Sequence, residues 1–196
     1  IAYDDAPRHL LDVYLPKPAE RPPAVVILFH GGSWSDGNRG QYRFVGQELA
    51  ARGYVAVVPE YRLHPDTRWP GFVEDTAAAV AWTVRHAGDL GGDRSRIFVM
   101  GHSAGAYNAA MVTVEAKWLA VHGIERTAIA GFIGLAGPYD FLPLQDRVTR
   151  TVFGHVPDPG STQPALLADA GTPPALLLRG TDDDTVYPRN ARSLAE

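Results

Sequence analysis

The sequence predicts an α/β domain in which helices cover both faces of a mostly parallel sheet. Two observations favour this class: short apolar runs alternate with helical patterns along the chain, and several of these runs are apolar at every position. Strands buried on both faces read as continuous hydrophobic runs, whereas half-buried strands alternate. With 196 residues, 45% of them hydrophobic, the chain has the size and composition of one globular domain.

The predicted elements follow one another in strand and helix order. Residues 9–15 alternate, with Leu11, Val13 and Leu15 on one face, and predict a half-buried strand. Later strands are predicted from apolar runs, those at 24–29, 54–58 and 175–179 as buried, and helices from apolar residues at helical spacing. The predicted strands are 9–15, 24–29, 54–58, 96–100, 129–135 and 175–179, and the predicted helices are 42–52, 72–86, 106–116 and 189–196.

Residues 137–174 form a long stretch without a clear pattern, rich in Pro, Gly, Asp and Thr. A segment of this length in a compact domain usually covers a site or is disordered. We therefore expect a single domain over residues 1–196, with this covering segment at about 137–174. The chain opens on Ile1 rather than Met and closes inside a predicted helix, so we expect it to be cut at both ends.

Composition excludes several classes of function. The chain has no cysteine, which rules out disulfides, thiolate metal sites and cysteine nucleophiles. A formal net charge of −4 supplies no field for phosphate backbones, so nucleic acid is not an expected partner. No apolar run approaches the ~20 residues of a membrane span, and the histidines lack zinc-site spacing. We expect a cytoplasmic protein without metal and leave its oligomeric state open.

The strongest motif is G-H-S-A-G at residues 101–105, between a predicted strand and a predicted helix. In this context G-x-S-x-G forms a nucleophile elbow, a sharp turn that lifts the hydroxyl of Ser103 clear of the sheet. The backbone N–H of Ala104, at the start of the helix, could donate to a developing oxyanion. A plain glycine-rich turn is the alternative, whereas the spacing does not match a dinucleotide fingerprint.

A second motif, H-G-G-S-W at residues 30–34, follows a buried strand directly. Adjacent glycines let a loop aim consecutive N–H groups at one point, as an oxyanion requires. We predict the N–H groups of Gly32 and Ser33 as donors, with Gly31 as the alternative. His30 is expected to support the loop, and Trp34 to form a wall of the pocket.

These motifs carry a family resemblance. In chain order the sequence contains LDVYLP at 11–16, HGGSW at 30–34, YRL at 61–63, GHSAGA at 101–106 and GTDDDTV at 180–186. Together they resemble the α/β-hydrolase superfamily, and within it small bacterial esterases related to hormone-sensitive lipase, feruloyl esterase and kynurenine formamidase. The resemblance runs from about Leu11 to the end of the chain. It implies an α/β-hydrolase fold, no cofactor, and a catalytic triad in the order Ser, Asp, His.

The family pattern also points to the acid of the triad. It places this residue three positions after a glycine and three before a valine, which selects Asp183 between Gly180 and Val186. Asp182 and Asp184 compete on the same loop. The role implied for Asp183 is to hold the histidine in the correct tautomer. The alternative is that this acidic loop is only a solvated turn.

The triad histidine is where the sequence departs from the family pattern, because all seven histidines precede Asp183. We expect the base beyond Glu196, on a last helix and strand that these residues lack. A degenerate enzyme or a base relocated within the chain would also produce this pattern. His155, in the covering segment, is the substitute to consider, whereas His102 is expected to point into the fold.

The resemblance therefore implies a serine hydrolase that cleaves short-chain carboxylic esters through an acyl-enzyme. Ser103 would attack the ester, Asp183 would orient the base, and Trp34 and Tyr107 would shape the pocket. An amidase of the aryl-formamidase type shares every motif. A non-catalytic binding domain that retains the elbow is the alternative from a different class.

Overall fold

The computed structural model describes residues 1–196 and contains one six-stranded sheet in the order β1-β3-β2-β4-β5-β6. β1 pairs with β3 antiparallel, and every other neighbouring pair is parallel. This mostly parallel sheet with its helices confirms the predicted fold class. The strands are β1 (Leu11–Tyr14), β2 (Val25–Phe29), β3 (Val55–Pro59), β4 (Ile97–His102), β5 (Gly131–Leu135) and β6 (Ala175–Leu178).

Helices cover the centre of this sheet on both faces, because β2 and β3 are buried at every position and successive side chains of a strand point to opposite faces. The helices are α1 (Arg43–Ala51), α2 (Gly71–His86), α3 (Ala104–Val114), α4 (Lys117–Ala120), α5 (Arg147–Phe153), α6 (Pro164–Leu167) and α7 (Arg189–Ala195). α3 packs against β2, β4, β5 and α2, whereas α1 packs against β1 and β3. None of these helices combines the length and apolar character that a bilayer span requires.

Several apolar side chains are more exposed than their sequence pattern predicts. β6 was expected to be buried, yet it has a neighbour on one side only and leaves Leu176 and Leu178 57% and 46% exposed. Leu15 lies beyond the end of β1 and is also exposed. Phe44 lies on α1 at helical spacing but points to solvent. Spacing identifies the element in each case, but the neighbouring elements determine which side chains are buried.

Strand register aligns the ends of the parallel strands at one edge of the sheet. Phe29 pairs with Gly101, Gly101 with Gly134, and Gly134 with Leu177. The loops that follow these strands therefore leave from the same edge and lie side by side. Ligands of open α/β sheets bind at the carboxyl ends of the strands, which makes this edge the place to look for a site.

The covering segment, residues 137–174, contains α5, α6 and a 3₁₀ turn at Pro159–Thr162. Long-range hydrogen bonds hold it to the fold. The Tyr107 hydroxyl donates to the carbonyl of Thr162 at 2.8 Å, and His155 Nε2 donates to the carbonyl of Trp69 at 2.8 Å. The buried Asn190 side chain accepts the N–H of Tyr139 at 2.8 Å. These contacts tie the segment to α3, to the loop before α2 and to α7.

Candidate active site

Ser103 occupies a strained turn between β4 and α3, with φ 52° and ψ −121°. Such a conformation is rare for a residue with a side chain and is typical of functional sites. The turn is tight because a Cβ on Gly105 would lie 2.3 Å from the carbonyl oxygen of His30, and one on Gly101 would lie 2.2 Å from that of Gly105. Both glycines are therefore required by close backbone contact.

Residues 30–37, here called the oxyanion loop, present free N–H groups beside Ser103. The N–H of Gly31 donates to the Tyr42 hydroxyl at 3.0 Å and is occupied. Those of Gly32 and Ser33 donate to no backbone carbonyl. Ser33 and Trp34 have φ of 52° and 57°, so this loop is strained as well.

Ala104 opens α3, where a helical N–H has no partner within the helix. Ser33, Ser103 and Ala104 line one cavity, whereas Gly32 is not part of its wall. The structure thus brings together two of the three predicted donors with the nucleophile. The N–H of Gly31, the alternative donor, is occupied by Tyr42.

A buried layer supports the oxyanion loop from below. His30 is fully buried, its Nδ1 donates to the carbonyl of Gly31 at 2.7 Å, and its ring stacks on Tyr61 with centroids 4.4 Å apart. The Tyr61 hydroxyl in turn donates to the carbonyl of His30 at 2.8 Å. Arg8 donates to the carbonyl of Gly37 at 2.9 Å. Burial lowers the pKa of His30 to about 4, so the imidazole is neutral at pH 7.

Residues 180–187, here called the acid loop, contain three aspartates that differ in their contacts. Asp183 Oδ1 accepts the N–H groups of Thr185 at 3.0 Å and Val186 at 2.8 Å. These two bonds hold the carboxylate in one orientation. Burial lowers the pKa of His102, the neighbour of Ser103, and the charge of Asp183 opposes this shift. Asp184 lines the cavity instead. Asp183 is thus the aspartate of this loop whose carboxylate two backbone N–H groups hold.

None of the histidines places an imidazole nitrogen within ion-pair distance of Asp183; the carboxylates that a histidine does reach are those of Asp4 and Asp75, both contacted by His9. His155 Nε2 donates to the carbonyl of Trp69, and His155 does not line the cavity that contains Ser103. His102 does not point into the fold as expected. It is exposed, because strand β4 ends there and its side chain leaves the sheet toward Tyr42.

The two predicted pocket aromatics lie deeper than expected. Tyr107 is fully buried in α3, every residue of which is buried, and it contributes nothing to the cavity wall. Its position in the core does not support the predicted role in substrate binding. Trp34 reaches the cavity but is only 3% exposed, and its indole N–H donates to Asn108 at 3.0 Å. Its ring packs on Phe72 and Phe153, so it is mainly a core residue.

The cavity beside Ser103 has a volume of about 470 Å³, within the usual range for small-molecule sites. The elbow contributes Ser103 and Ala104 to its wall, and the oxyanion loop contributes Ser33 and Trp34. The covering segment contributes Pro138, Phe141, Pro143, Gln145, Asp146, Val148 and Thr149, and the acid loop and α7 contribute Asp184, Thr185, Val186, Tyr187, Arg189 and Asn190. A nucleophile and free N–H donors thus share a mixed apolar and polar cleft.

Sequence reasoning missed Tyr42, Arg8 and Asn190. Tyr42 and Arg8 hold the oxyanion loop, and Asn190 holds the start of the covering segment against α7. None of them lies in a recognisable motif. Their partners are distant in sequence, so only the folded chain reveals their roles.

Comparisons with known proteins agree with this geometry. The BD-FAE family profile matches residues 11–196. A probable isoprenylcysteine alpha-carbonyl methylesterase of Arabidopsis thaliana is 30% identical over 100% of this chain and 46% of its own length. Esterase LipC of Mycobacterium tuberculosis is 31% identical over 100% of this chain and 53% of its own length. The chain thus spans about half the length of these two relatives.

Solved structures give the same result. The apo form of esterase 2 from Thermogutta terrifontis superimposes with a TM-score of 0.82 at 26% identity, covering 100% of this chain and 77% of that one. The same esterase phosphonylated by sarin gives a TM-score of 0.83 at 26% identity, with 100% and 78% covered.

The buried, neutral His30 makes the free energy of unfolding depend on pH. As pH falls from about 6.5 toward about 4, the unfolded chain takes up a proton that native His30 refuses, so stability falls. The loss from this group is about 3 kcal/mol at most. Urea unfolding at about pH 7 and about pH 4 should therefore show a smaller loss in His30→Gln than in the wild type.

His86→Gln provides the matched control for this measurement, because His86 lies partly exposed at the end of α2. The loss on acidification should be the same in this variant as in the wild type. An equal loss in His30→Gln and the wild type would contradict the buried neutral state of His30.

Proposed function

The chain belongs to the BD-FAE family, a family of α/β-hydrolase esterases, and we propose that it is a serine hydrolase that cleaves short-chain carboxylic esters. One observation carries the proposal: Ser103 sits in a strained elbow on a cavity wall, beside N–H groups with no backbone partner. The fold alone would not support an activity, because one fold hosts many functions. The local chemistry of the elbow is what supports this activity.

Ser103 is the nucleophile of the proposed reaction. Its Oγ adds to the ester carbonyl carbon while its proton passes to a general base, and a tetrahedral intermediate forms. Collapse of this intermediate breaks the bond to the alcohol, which leaves with the proton, and an acyl-enzyme remains. Water then attacks the acyl carbon in the same way and releases the acid.

The oxyanion of each tetrahedral intermediate would be held by the N–H groups of Gly32, Ser33 and Ala104. These donors come from two loops that are already fixed before substrate arrives, so little reorganisation is needed in the transition state. Gly32 is not among the residues that line the cavity, which makes Ser33 and Ala104 the main donors of this proposal.

Asp183 would orient the general base and stabilise it when protonated. Two backbone N–H groups hold Oδ1, and Oδ2 remains available to an imidazole N–H. We assign the base to none of the seven histidines of residues 1–196. A histidine that follows Asp183 in the chain remains a prediction.

The size and walls of the cavity support a short acyl group. Trp34 and Phe141 are aromatic residues of its wall, with ring centroids 6.4 Å apart, and a volume of about 470 Å³ accommodates a small molecule. The substrate would be a small ester. A cytoplasmic location and the lack of a nucleic-acid partner remain predictions.

Replacement of Ser103 by alanine should abolish hydrolysis. We expect full-length Ser103→Ala to lose more than about 10³-fold in kcat on short-chain p-nitrophenyl esters, because the covalent step is gone. Ser95→Ala is the matched control, since Ser95 precedes β4 at the opposite edge of the sheet. Equal rates in Ser103→Ala and the wild type would refute the proposal. An N-formyl amide assayed in parallel separates an esterase from a formamidase-type amidase.

The three aspartates of the acid loop should respond differently to substitution. Asp183→Asn should lower kcat by about 10³–10⁴-fold, because the base would lose its orienting carboxylate. Asp182→Asn, which removes a neighbouring exposed charge, should leave kcat near the wild-type value. A greater loss in Asp182→Asn than in Asp183→Asn would show that the acid is assigned to the wrong residue.

A further inference from the structure

A hydrogen-bonded bridge joins the oxyanion loop to the nucleophile elbow. The N–H of Gly31 donates to the Tyr42 hydroxyl oxygen at 3.0 Å, and that oxygen lies 2.6 Å from His102 Nδ1. Gly31 belongs to the oxyanion loop, and His102 is the residue before Ser103. Tyr42 lies between them at the start of α1. The mechanism proposed above makes no use of this bridge.

The direction of the protons in the bridge follows from the donor inventory. The Tyr42 hydroxyl oxygen accepts the N–H of Gly31 and also contacts His102 Nδ1. The hydroxyl has one proton of its own to donate. Donation from the hydroxyl to a lone pair on Nδ1 gives that proton an acceptor within the bridge, whereas the reverse direction would leave it without one there. The proton of the neutral imidazole then resides on Nε2. In this tautomer His102 cannot accept the Ser103 proton at Nε2, so it is not a concealed general base.

The surroundings of His102 favour the neutral imidazole. Partial burial lowers its pKa, and the charge of Asp183 opposes this shift. An imidazolium would have no lone pair at Nδ1 to accept from Tyr42. Donation from Tyr42 to His102 Nδ1 thus requires the neutral imidazole.

Packing leaves little freedom between the two loops. A Cβ on Gly31 would lie 2.9 Å from His102 Nδ1 and 3.2 Å from the Cβ of Ser103. Ser33 and Trp34, which follow Gly32, have left-handed backbone conformations. Such conformations persist only where the surrounding structure enforces them. A fixed Gly31 peptide is a means of enforcing them.

We propose that Tyr42 and His102 are positioning residues for ester hydrolysis, a role that rests on the function proposed above. Together they withdraw the Gly31 N–H from the site and hold the oxyanion loop at a set distance from Ser103. The next N–H groups in the loop then point at the oxyanion. A displacement of about 1 Å in such a donor can lower a rate by about 100-fold.

Steady-state kinetics of the full-length protein test this role. Tyr42→Phe and His102→Leu should each lower kcat by about 10- to 100-fold with little change in KM, because donors aligned for the transition state are disturbed and ground-state binding is not. His102→Gln retains a side-chain acceptor for the Tyr42 hydroxyl and should recover most of the kcat lost in His102→Leu. Tyr54→Phe, on an exposed tyrosine before β3, is the matched control.

An unchanged kcat in Tyr42→Phe overturns the proposal, and so does a loss that appears in KM alone. Failure of His102→Gln to recover activity would contradict the role of Nδ1 as an acceptor.

A second measurement does not depend on activity. Nitrogen-15 NMR of the imidazole reports which nitrogen carries the proton, and the bridge requires Nε2–H in the wild type with loss of this preference in Tyr42→Phe. A proton on Nδ1 overturns the donation from Tyr42 to His102 on which the proposed role rests. If the wild type hydrolyses no ester, the proposed function fails, and the tautomer of His102 still decides whether the bridge exists.

Discussion

Backbone contact between the first turn of α3 and the end of β2 is the constraint on which the site depends. Gly105 meets the carbonyl of His30 so closely that no side chain fits between them. This contact brings the elbow and the oxyanion loop together, and both must turn sharply there. Ser103 and Ser33 adopt left-handed conformations as a result. A buried aromatic and hydrogen-bonded layer, centred on His30 and Tyr61, sustains this strain.

The distribution of hydrogen bonds around this contact explains how the site is prepared for chemistry. Most backbone N–H groups of a folded protein are paired, so those left free at a cavity wall are informative. Here the N–H of Gly31 is taken by Tyr42, whereas the next ones have no backbone partner. Asp183 likewise has one occupied and one available oxygen, because backbone N–H groups hold Oδ1 and leave Oδ2 available. Such preorganised groups stabilise charge as it develops.

Local patterns in the sequence were sufficient to predict the strands, the main helices and the elbow, because apolar periodicity and paired glycines act over a few residues. Features that depend on distant neighbours were not predictable in this way. Tyr107 was expected at the substrate and lies in the core, and His102 was expected in the core and lies exposed. The contacts of Tyr42 join segments 11 and 60 residues apart. Neither the residue type nor the spacing in the sequence predicts such a contact.

Covalent labelling tests the central claim, that Ser103 is an activated nucleophile, most directly. The full-length protein would be treated with a fluorophosphonate, digested and analysed by peptide mass spectrometry. The account predicts a single phosphonyl adduct on Ser103, formed by displacement of fluoride by Oγ, and none in Ser103→Ala. An unlabelled Ser103, or an adduct confined to another residue, would contradict it.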